Sequence, residues 1–263
     1  MKENNLEEEL FCTNFELRNL SDLLVYGKAE RWVYGFMLKR YEDEHLNRYL
    51  YALQYTSQKK VLDIACGCGY GTFLMAEKGA ESVIGVDLSE DAIRYGNHRY
   101  ARQNLKRFVA DATKFIHDHL FDVIVSFETV EHIPNYLDFI ENLYRNLSDN
   151  GTLLISTPIT KTTTSAPKNP FHVIEWNFYD FQNLFKDRFD IVEIMIQEVI
   201  IQEESKRKEY NIKNRILNRI SKENLKITKG KSFEKFAGQY DMNQCHEGYQ
   251  TLVLRKKTSS EII

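Results

Sequence analysis

The stretch Val61–Gly71, VLDIACGCGYG, indicates how this chain folds. A short apolar run ends in Asp63, and a glycine-rich turn begins four residues later at Gly67. This pattern is typical of a buried strand that leads into a tight loop, where a small ligand can lie against bare backbone. Asp87 ends a second apolar run 20 residues after Gly67. Strand, glycine loop, helix, strand and acid together predict a nucleotide-binding βαβ unit.

Composition narrows the class of protein. The 263 residues have a net charge of −3 and 43% hydrophobic content, which predicts one large α/β domain and gives no bulk reason to bind nucleic acid. The four cysteines form no disulfide framework, and with two of them inside the glycine loop we expect reduced thiols in a cytoplasmic protein. Their spacing fits no common zinc pattern. We expect no membrane span, because no apolar run approaches about 20 residues, and the acidic N-terminus does not resemble a signal peptide.

Patterning divides the chain into two parts. Residues 1–57 carry leucines and aromatic residues at helical spacing, which predicts an N-terminal helical cap. Residues 58–263 predict a Rossmann-like sheet of seven mostly parallel strands, covered by helices. The strand candidates are 60–64, 82–87, 107–110, 121–127, 151–156, 189–200 and 249–257, and the helix candidates are 71–79, 90–102 and 135–147. Asn150-Gly151 is predicted to stop the third of these helices.

An insertion, residues 201–248, separates the last two predicted strands. Its first 35 residues, 201–235, contain eleven lysines and arginines and one apolar helical stripe. Three interpretations stay open: a solvated amphipathic helix, a lid whose cations meet an anionic substrate, or an RNA-binding segment. Since the sixth strand is expected to run parallel to the fifth, the insertion would emerge at the ligand-binding edge, bordered by Tyr240, His246 and Tyr249.

The spacing of the glycines indicates which kind of ligand the loop binds. A dinucleotide loop would show G-x-G-x-x-G, whereas here the third glycine, Gly71, comes one residue early. The carboxylate of Asp63 before the loop would repel a pyrophosphate and would suit a cationic ligand. S-adenosylmethionine (SAM) carries a sulfonium and an ammonium group and no phosphate. The residues therefore favour SAM over NAD.

Four segments carry a family resemblance. DIACGCGYG (63–71) resembles the first motif of class I SAM-dependent methyltransferases, and VIGVDLS (83–89), FVADAT (108–113) and FDVIVSFETVEHI (121–133) resemble the three motifs that follow. All four fall in order at the carboxyl ends of predicted strands, where open α/β sheets bind ligands. The resemblance implies SAM as cofactor and S-adenosylhomocysteine (SAH) as product.

The resemblance also implies the cofactor-binding residues. Asp87 would bind the ribose hydroxyls, Leu88 would lie against the adenine face, and the backbone near Ser126–Phe127 would line the methionine end. Either Arg31 or Arg48 is expected near the cofactor carboxylate, below a roof formed by Tyr41, His45 and Tyr49, although those aromatic residues fit a plain packing stripe as well. The predicted set is Asp63, Ala65, Gly67, Gly69, Asp87, Leu88, Asp111, Ala112, Ser126, Phe127 and Arg31. Asp87 could instead cap the next helix, a role that Ser89 fits better, and Asp111 could be an ordinary turn residue.

Three more segments resemble a bacterial subgroup of these methyltransferases: ERWV (30–33), EHLNRY (44–49) and NPFHVIEW (169–176). Such enzymes commonly act on nucleotide sugars or on precursors of capsule and other surface polysaccharides, usually at oxygen. Cys68 departs from the family, which usually shows glutamate there. The resemblance implies a small-molecule acceptor. The apolar runs and the net charge give no reason to expect a membrane or nucleic-acid partner, and both a monomer and a homodimer stay open.

Methylation of a hydroxyl requires a base, and His132 and His172 are the candidates because both follow strand ends. Each could alternatively cap or orient a loop, and Glu131 could act as a base or hold His132. The pattern E-x-x-E-H, which is Glu128, Glu131 and His132, also resembles a divalent-metal site of quinone-biosynthesis O-methyltransferases and would hold Mg²⁺ or Mn²⁺.

Other functions stay open beside O-methylation. The acceptor could be the nitrogen of an amino sugar or a phosphate-modified precursor. An RNA or protein methyltransferase and a SAM-binding protein without catalysis are further alternatives. The low net charge argues against RNA, and the intact motif set argues against a binding protein.

Overall fold

One mixed sheet organises the computed structural model, which describes residues 2–26, 31–37, 39–198, 233–242 and 248–258. The strands are β1 (Lys60–Ile64), β2 (Ser82–Asp87), β3 (Leu105–Val109), β4 (Phe121–Phe127), β5 (Leu147–Ile159), β6 (Phe189–Glu198), β7 (Glu234–Lys235) and β8 (Gly248–Lys256). Their order across the sheet is β3-β2-β1-β4-β5-β8-β6-β7. Neighbours from β3 to β5 are parallel, and β8 is antiparallel to both β5 and β6. The Rossmann-like, mostly parallel architecture is therefore confirmed, with the two-residue β7 as an unpredicted edge strand.

Six helices accompany the sheet among the described residues: α1 (Lys2–Tyr26), α2 (Lys39–Thr56), α3 (Tyr70–Glu77), α4 (Glu90–Arg99), α5 (Tyr136–Asn146) and α6 (Phe178–Asn183). The expected N-cap of α4 is confirmed, because Oγ of Ser89 accepts a hydrogen bond from the Ala92 amide at 3.2 Å. None of the helices in the described part of the chain has the length and apolar character that a membrane crossing requires.

The sheet buries both of its faces. Along β1, Val61 packs into the cluster beneath α2 and α3, whereas Leu62 packs into the cluster beneath α5 and α6. This alternation follows from the two-residue period of a strand. Each fully buried Val or Leu contributes roughly 1.5–3 kcal/mol by leaving water.

One local expectation was wrong, and one short helix was not predicted. The helix stop at Asn150-Gly151 does not exist: α5 ends at Asn146, and Asn150 lies inside β5 with φ 59°. The register between β4 and β5 shifts in this region, so the left-handed residue serves a strand irregularity. The helix α6 is not predicted by the sequence pattern, because a helix of six residues is too short to show a periodic pattern.

Candidate functional site

A cavity of about 1120 Å³ opens at the carboxyl ends of β1, β2 and β4. It lies where the strand order reverses between β1 and β4, the usual ligand position in an open α/β sheet. We call the lining residues within 65–69, 87–89 and 111–113 the loop half. The lining residues within 127–135 and 169–172, together with Tyr249, are the histidine half. Residues of α1, α2 and the segment between them complete the wall.

The backbone of the loop half is held by one carboxylate. Ala65, Gly67 and Gly69 have φ values of 62°, 55° and 80°, which turn the chain sharply after β1. The Gly67 amide donates to Oδ2 of Asp87, and the Ser89 amide donates to Oδ1, both at 2.9 Å. Asp87 therefore ties the glycine loop to the end of β2.

A buried arginine supports the loop from beneath. Arg107 donates to the carbonyl of Gly69 at 2.9 Å, to Oγ1 of Thr72 at 3.0 Å and to the carbonyl of Gly96 at 3.0 Å. A Cβ at Gly69 would overlap Nε of Arg107. Gly69 is therefore required both by its left-handed φ and by the approach of this guanidinium.

The third glycine serves packing. A Cβ at Gly71 would overlap the ring of Tyr49 from α2. With glycine there, the Tyr49 hydroxyl reaches Asp63 and donates to its carboxylate at 3.2 and 3.3 Å. The early position of this glycine is thus explained by the helix above the loop.

Asp63 does not reach the cavity surface. Its side chain is fully buried, and Tyr49 is the residue that lines the cavity above it. Burial raises the pKa of Asp63 to about 7, while the hydrogen bond from Tyr49 and the positive charge of Arg107 act in the opposite direction. Asp63 was predicted to bind the cofactor, but its place in the structure allows only an effect through Tyr49 or through its charge.

Seven predicted cofactor residues of the loop half line the cavity together: Ala65, Gly67, Gly69, Asp87, Leu88, Asp111 and Ala112. The Leu88 side chain is 76% exposed, as an apolar surface for a flat ring would be. Asp111 accepts from the amide and hydroxyl of Thr113 at 2.9 and 2.7 Å, and these bonds hold the pKa of Asp111 below its ordinary value. Nη1 of Arg31 lies 3.9 Å from Asp87, so the predicted arginine faces the loop half.

Aromatic side chains form the wall opposite the loop. Tyr41, His45 and Tyr49 all line the cavity, which is the face predicted for α2. The Trp32 ring stacks on His45 at 5.2 Å and on Tyr49 at 5.6 Å between centroids. Burial, with the nearby Arg48 charge, lowers the pKa of His45 well below its ordinary value, so this imidazole is neutral at pH 7.

The histidine half begins at the end of β4. Phe127 lines the cavity, whereas Ser126 is fully buried and does not. Glu128 has φ 52° and exchanges hydrogen bonds with Ser156, whose hydroxyl donates to Oε1 at 2.6 Å. Ser156 therefore holds the Glu128 carboxylate against β5.

Glu131 is fully buried. Its Oε2 accepts from Thr157 at 3.3 Å, and its Oε1 has no hydrogen-bond partner in the described structure. Burial, reinforced by the neighbouring Glu128 carboxylate, raises the pKa of Glu131 well above its ordinary value. Burial therefore favours the neutral acid over the carboxylate, which argues against Glu131 as a general base.

The two histidines meet edge to face, with ring centroids 4.8 Å apart. Nδ1 of His132 lies 2.8 Å from the Phe171 carbonyl, an acceptor only, so Nδ1 donates and the lone pair of the neutral ring is on Nε2.

His172 is engaged on both sides. Oδ1 of Asn169 accepts from the Phe171 amide at 3.2 Å, which turns the Asn169 Nδ2 group toward Nε2 of His172 at 2.9 Å. Nδ1 of His172 then donates to Glu175 at 2.6 Å. The lone pair of His172 is occupied, so His172 is poorly placed to accept a proton.

The residues that could hold a divalent metal in the structure differ from the predicted set of Glu128, Glu131 and His132. Glu131, His132 and His172 each offer a ligand atom, all within 4.8 Å of one another, and Glu128 is not in this group. A metal at these residues would have to displace Asn169 or Glu175 from His172. The fit is therefore incomplete, and no step of the chemistry below depends on a metal.

Comparison with known proteins decides the family. A family model described as a methyltransferase domain matches residues 55–238. The chain belongs to this methyltransferase domain family. The match covers the whole loop half and the histidine half up to residue 172, whereas Tyr249 and the lining residues of α1, α2 and the segment between them lie outside it.

Two curated relatives resemble this methyltransferase domain in part. A probable S-adenosylmethionine-dependent methyltransferase of Mycolicibacterium smegmatis is 33% identical over 131 residues, covering 49% of this chain and 50% of that protein. Phosphoethanolamine N-methyltransferase 1 of Zea mays is 42% identical over 101 residues, covering 37% of this chain and 20% of that protein. The aligned part is thus half of the first relative and a fifth of the second.

Solved structures share the fold. The MccD protein has a TM-score of 0.59 at 21% identity and covers 80% of this chain and 96% of that chain. An O-methyltransferase from a trans-AT PKS multienzyme of Brevibacillus brevis, solved with S-adenosyl-L-homocysteine, has a TM-score of 0.54 at 19% identity, covering 82% of this chain and 73% of that chain.

Several residues of the site were not predicted from the sequence. Arg107 resembles an ordinary strand residue, because Lys106 beside it is also charged and nothing in the sequence marks which of the two is buried. Trp32 and Asn169 belong to segments that were recognised by resemblance, but nothing in the sequence indicates that they contact His45 and His172.

Residues 199–232, which contain almost all of the basic stretch of the insertion, lie outside the described residues. His246 also lies outside them. Tyr249 lines the cavity, as expected, and lies at the start of β8. Tyr240 does not line it: its ring stacks on Phe178 at 4.3 Å in a separate buried cluster. The described end of the insertion, 233–242, is anchored there.

Proposed function

We propose that this protein transfers a methyl group from SAM to a hydroxyl of a small, anionic acceptor, such as a nucleotide sugar or a precursor of capsule or another surface polysaccharide. The observation that carries the proposal is the arrangement of the cavity. A glycine loop tied to Asp87 forms one half, and His132, oriented by a backbone carbonyl, lies in the other half.

The loop half would hold the cofactor. Asp87 would accept from the ribose hydroxyls, Leu88 and Ala112 would contact the adenine, and Asp111 would lie at its edge. Ala65, Gly67 and Gly69 would bring backbone close to the ligand. When bound, SAM supplies a methyl group already activated by its sulfonium.

The histidine half would bind and deprotonate the acceptor. The hydroxyl proton passes to Nε2 of His132 as the oxygen–carbon bond forms and the carbon–sulfur bond breaks. The edge of His172, fixed by Asn169 and Glu175, keeps the His132 ring in place. The aromatic wall from Trp32 to Tyr49 shields this space from water.

The proposal that the acceptor is anionic depends on the basic stretch of the insertion. Among the described lining residues, Arg31 is the only arginine or lysine, and it faces Asp87. An acceptor phosphate would therefore need cations from the basic stretch 201–235. Replacing Lys206, Arg207 and Lys208 with serine should raise the KM for the acceptor and leave the KM for SAM unchanged; the reverse pattern would refute this part of the proposal.

A second candidate is N-methylation of a small amine that carries a phosphate. This candidate is favoured by the similarity to a plant phosphoethanolamine N-methyltransferase, which is 42% identical in an alignment that covers 37% of this chain. A neutral amine attacks through its lone pair, so loss of His132 would cost less turnover than for a hydroxyl acceptor.

Calorimetry with SAM, SAH and NAD tests the cofactor, and transfer of labelled methyl groups to a panel of nucleotide sugars and phosphorylated amines tests the acceptor. We expect SAM and SAH to bind and NAD not to bind. Binding of NAD without SAH would overturn the proposal. Methylation of phosphorylated amines alone would select the second candidate, and added EDTA should change neither result.

A further inference from the structure

One carboxylate of the histidine half takes no part in the proton transfer to His132. Glu128 follows the end of β4 and lines the cavity, and it is outside the group of residues that could hold a metal. Its φ of 52° is left-handed, a conformation that glycine adopts more easily than a residue with a side chain. A strained residue in the wall of a cavity is a candidate for function.

Ser156 fixes the direction of this carboxylate. The serine hydroxyl accepts a hydrogen bond from the Glu128 amide at 3.1 Å and donates one to Oε1 of the same residue at 2.6 Å. The amide and the carboxylate of Glu128 are thus joined through a single hydroxyl, which restricts the side chain. Among the described residues, none donates a hydrogen bond to Oε2. One oxygen of an oriented carboxylate is therefore open for a ligand.

A second oxygen in the same half is also open. Glu131 is fully buried and lines the cavity, and its Oε1 has no hydrogen-bond partner within the described structure. With or without its proton, this atom needs a partner, because buried polar atoms in native proteins are nearly all hydrogen-bonded. Among the described lining residues of the histidine half there is no lysine or arginine. A ligand there meets oxygens that require polar partners.

The ring of Tyr249 lies beside the Ser156–Glu128 pair. Ser156 and Pro158 face the same side of β5, since they are two residues apart, and Tyr249 of β8 pairs with Pro158. The guanidinium of Arg48 covers the ring, with Cζ 4.8 Å from the ring centroid. Arg48 is fully buried and does not line the cavity, so it can hold the ring without contacting a ligand.

We infer that Glu128 selects the acceptor: its open oxygen accepts a hydrogen bond from a hydroxyl or ammonium group of the acceptor other than the group that is methylated. A carboxylate oxygen can only accept, so the acceptor must supply a donor. The inference rests on the proposed function, since it places the acceptor in the histidine half. The acceptor class is then a polyhydric or amino alcohol, such as a sugar ring, and not a monohydric alcohol or a phenol.

Kinetics of E128Q tests the inference on a nucleotide sugar that the wild type methylates. In the glutamine variant the Ser156 hydroxyl keeps the carbonyl oxygen as its acceptor, so the amide nitrogen, a donor, takes the open position. We expect the KM for the acceptor to rise at least about tenfold, with kcat within about threefold of the wild type and SAH affinity in calorimetry unchanged. An acceptor KM of E128Q within about twofold of the wild type would overturn the inference.

The matched control is E81Q. Glu81 is an exposed residue that precedes β2, at the edge of the sheet opposite to the cavity. This variant should keep the wild-type KM and kcat.

Single-deoxy analogues of the same nucleotide sugar separate a direct contact from a structural effect. Removal of the one hydroxyl that Glu128 contacts should raise the KM of the wild type at least about tenfold and that of E128Q less than about threefold. An amino group in place of that hydroxyl should restore the wild-type KM, because a carboxylate also accepts from ammonium. If every analogue affects the two proteins equally, Glu128 does not contact the acceptor.

Two further outcomes are decisive. If EDTA lowers the activity of the wild type to that of E128Q, Glu128 holds a metal and the inference is wrong. If the wild type methylates no nucleotide sugar, the proposed function fails and the inference fails with it, whereas wild-type kinetics of E128Q on a methylated sugar refute the inference alone.

Discussion

The two halves of the cavity are built in different ways. The loop half is held by backbone: three left-handed residues, two amides on Asp87, and a carbonyl on Arg107. The histidine half is held by side chains from distant segments, such as His132 on the Phe171 carbonyl and Glu128 on Ser156. Backbone geometry shows in sequence as glycines at set positions, and side-chain networks leave no such pattern. Cofactor binding should therefore be sensitive to replacement of the glycines, and turnover should be sensitive to replacement of side chains in the histidine half.

The largest effect should come from the loop half. Gly69→Ala introduces strain at φ 80° and drives a Cβ into Arg107. We expect unfolding to become easier by about 1–2 kcal/mol from the left-handed conformation and about 1–3 kcal/mol more from the overlap. SAH affinity should fall at least 100-fold in calorimetry.

The matched control is Gly35→Ala. Gly35 has φ 84°, but a Cβ there meets nothing within 4 Å. The control should show the conformational penalty alone. Equal losses of stability in the two variants would contradict the role given to Arg107.

The next largest effect should come from the histidine half. His132→Ala should lower kcat about 100-fold or more with a hydroxyl acceptor, because the proton loses its base, and should leave SAH affinity unchanged. His172→Ala should cost only about tenfold in kcat, since its lone pair is already occupied by Asn169. If His172→Ala lowers kcat more than His132→Ala does, then His172 and not His132 is the base.

An effect on stability rather than on turnover should appear as pH dependence beneath the loop. Burial raises the pKa of Asp63 to about 7 from its ordinary value near 3.8. The folded protein therefore holds a proton that the unfolded chain has lost, and the free energy of unfolding should fall as pH rises from about 4 to 7, by up to about 1.4 kcal/mol per pH unit.

Asp63→Asn should remove this slope in denaturant titrations across the same pH range. Asp149→Asn, at a side chain that is 80% exposed, serves as the control and should keep the wild-type slope. If Asp63→Asn shows the wild-type slope as well, Asp63 is not the group that titrates.

The smallest effect should come from Glu131→Gln. Because Glu131 is buried with a raised pKa, the neutral acid and the amide are close in shape and charge. We expect kcat at pH 7 within about threefold of the wild type, with or without EDTA. A 100-fold loss would show that an ionised Glu131 is needed as a base or metal ligand, and the incomplete metal fit would have to be revised.

The sequence by itself determined the sheet and the loop half. Strands 60–64, 82–87 and 121–127 were predicted with their observed bounds, because buried parallel strands are short apolar runs closed by turn residues. Asp87, Leu88, Asp111 and Ala112 were expected together, since the carboxyl ends of neighbouring parallel strands meet at one edge.

Only the tertiary structure decided the rest. It placed Asp63 behind Tyr49, buried Ser126, and showed that Gly71 makes room for α2. It set the hydrogen bonds of His132 and His172 through a carbonyl and an amide that no spacing rule connects to them. The physical reason is range: strand periodicity and left-handed turns are local properties of the chain. The occupancy of a lone pair depends on residues that approach only after folding.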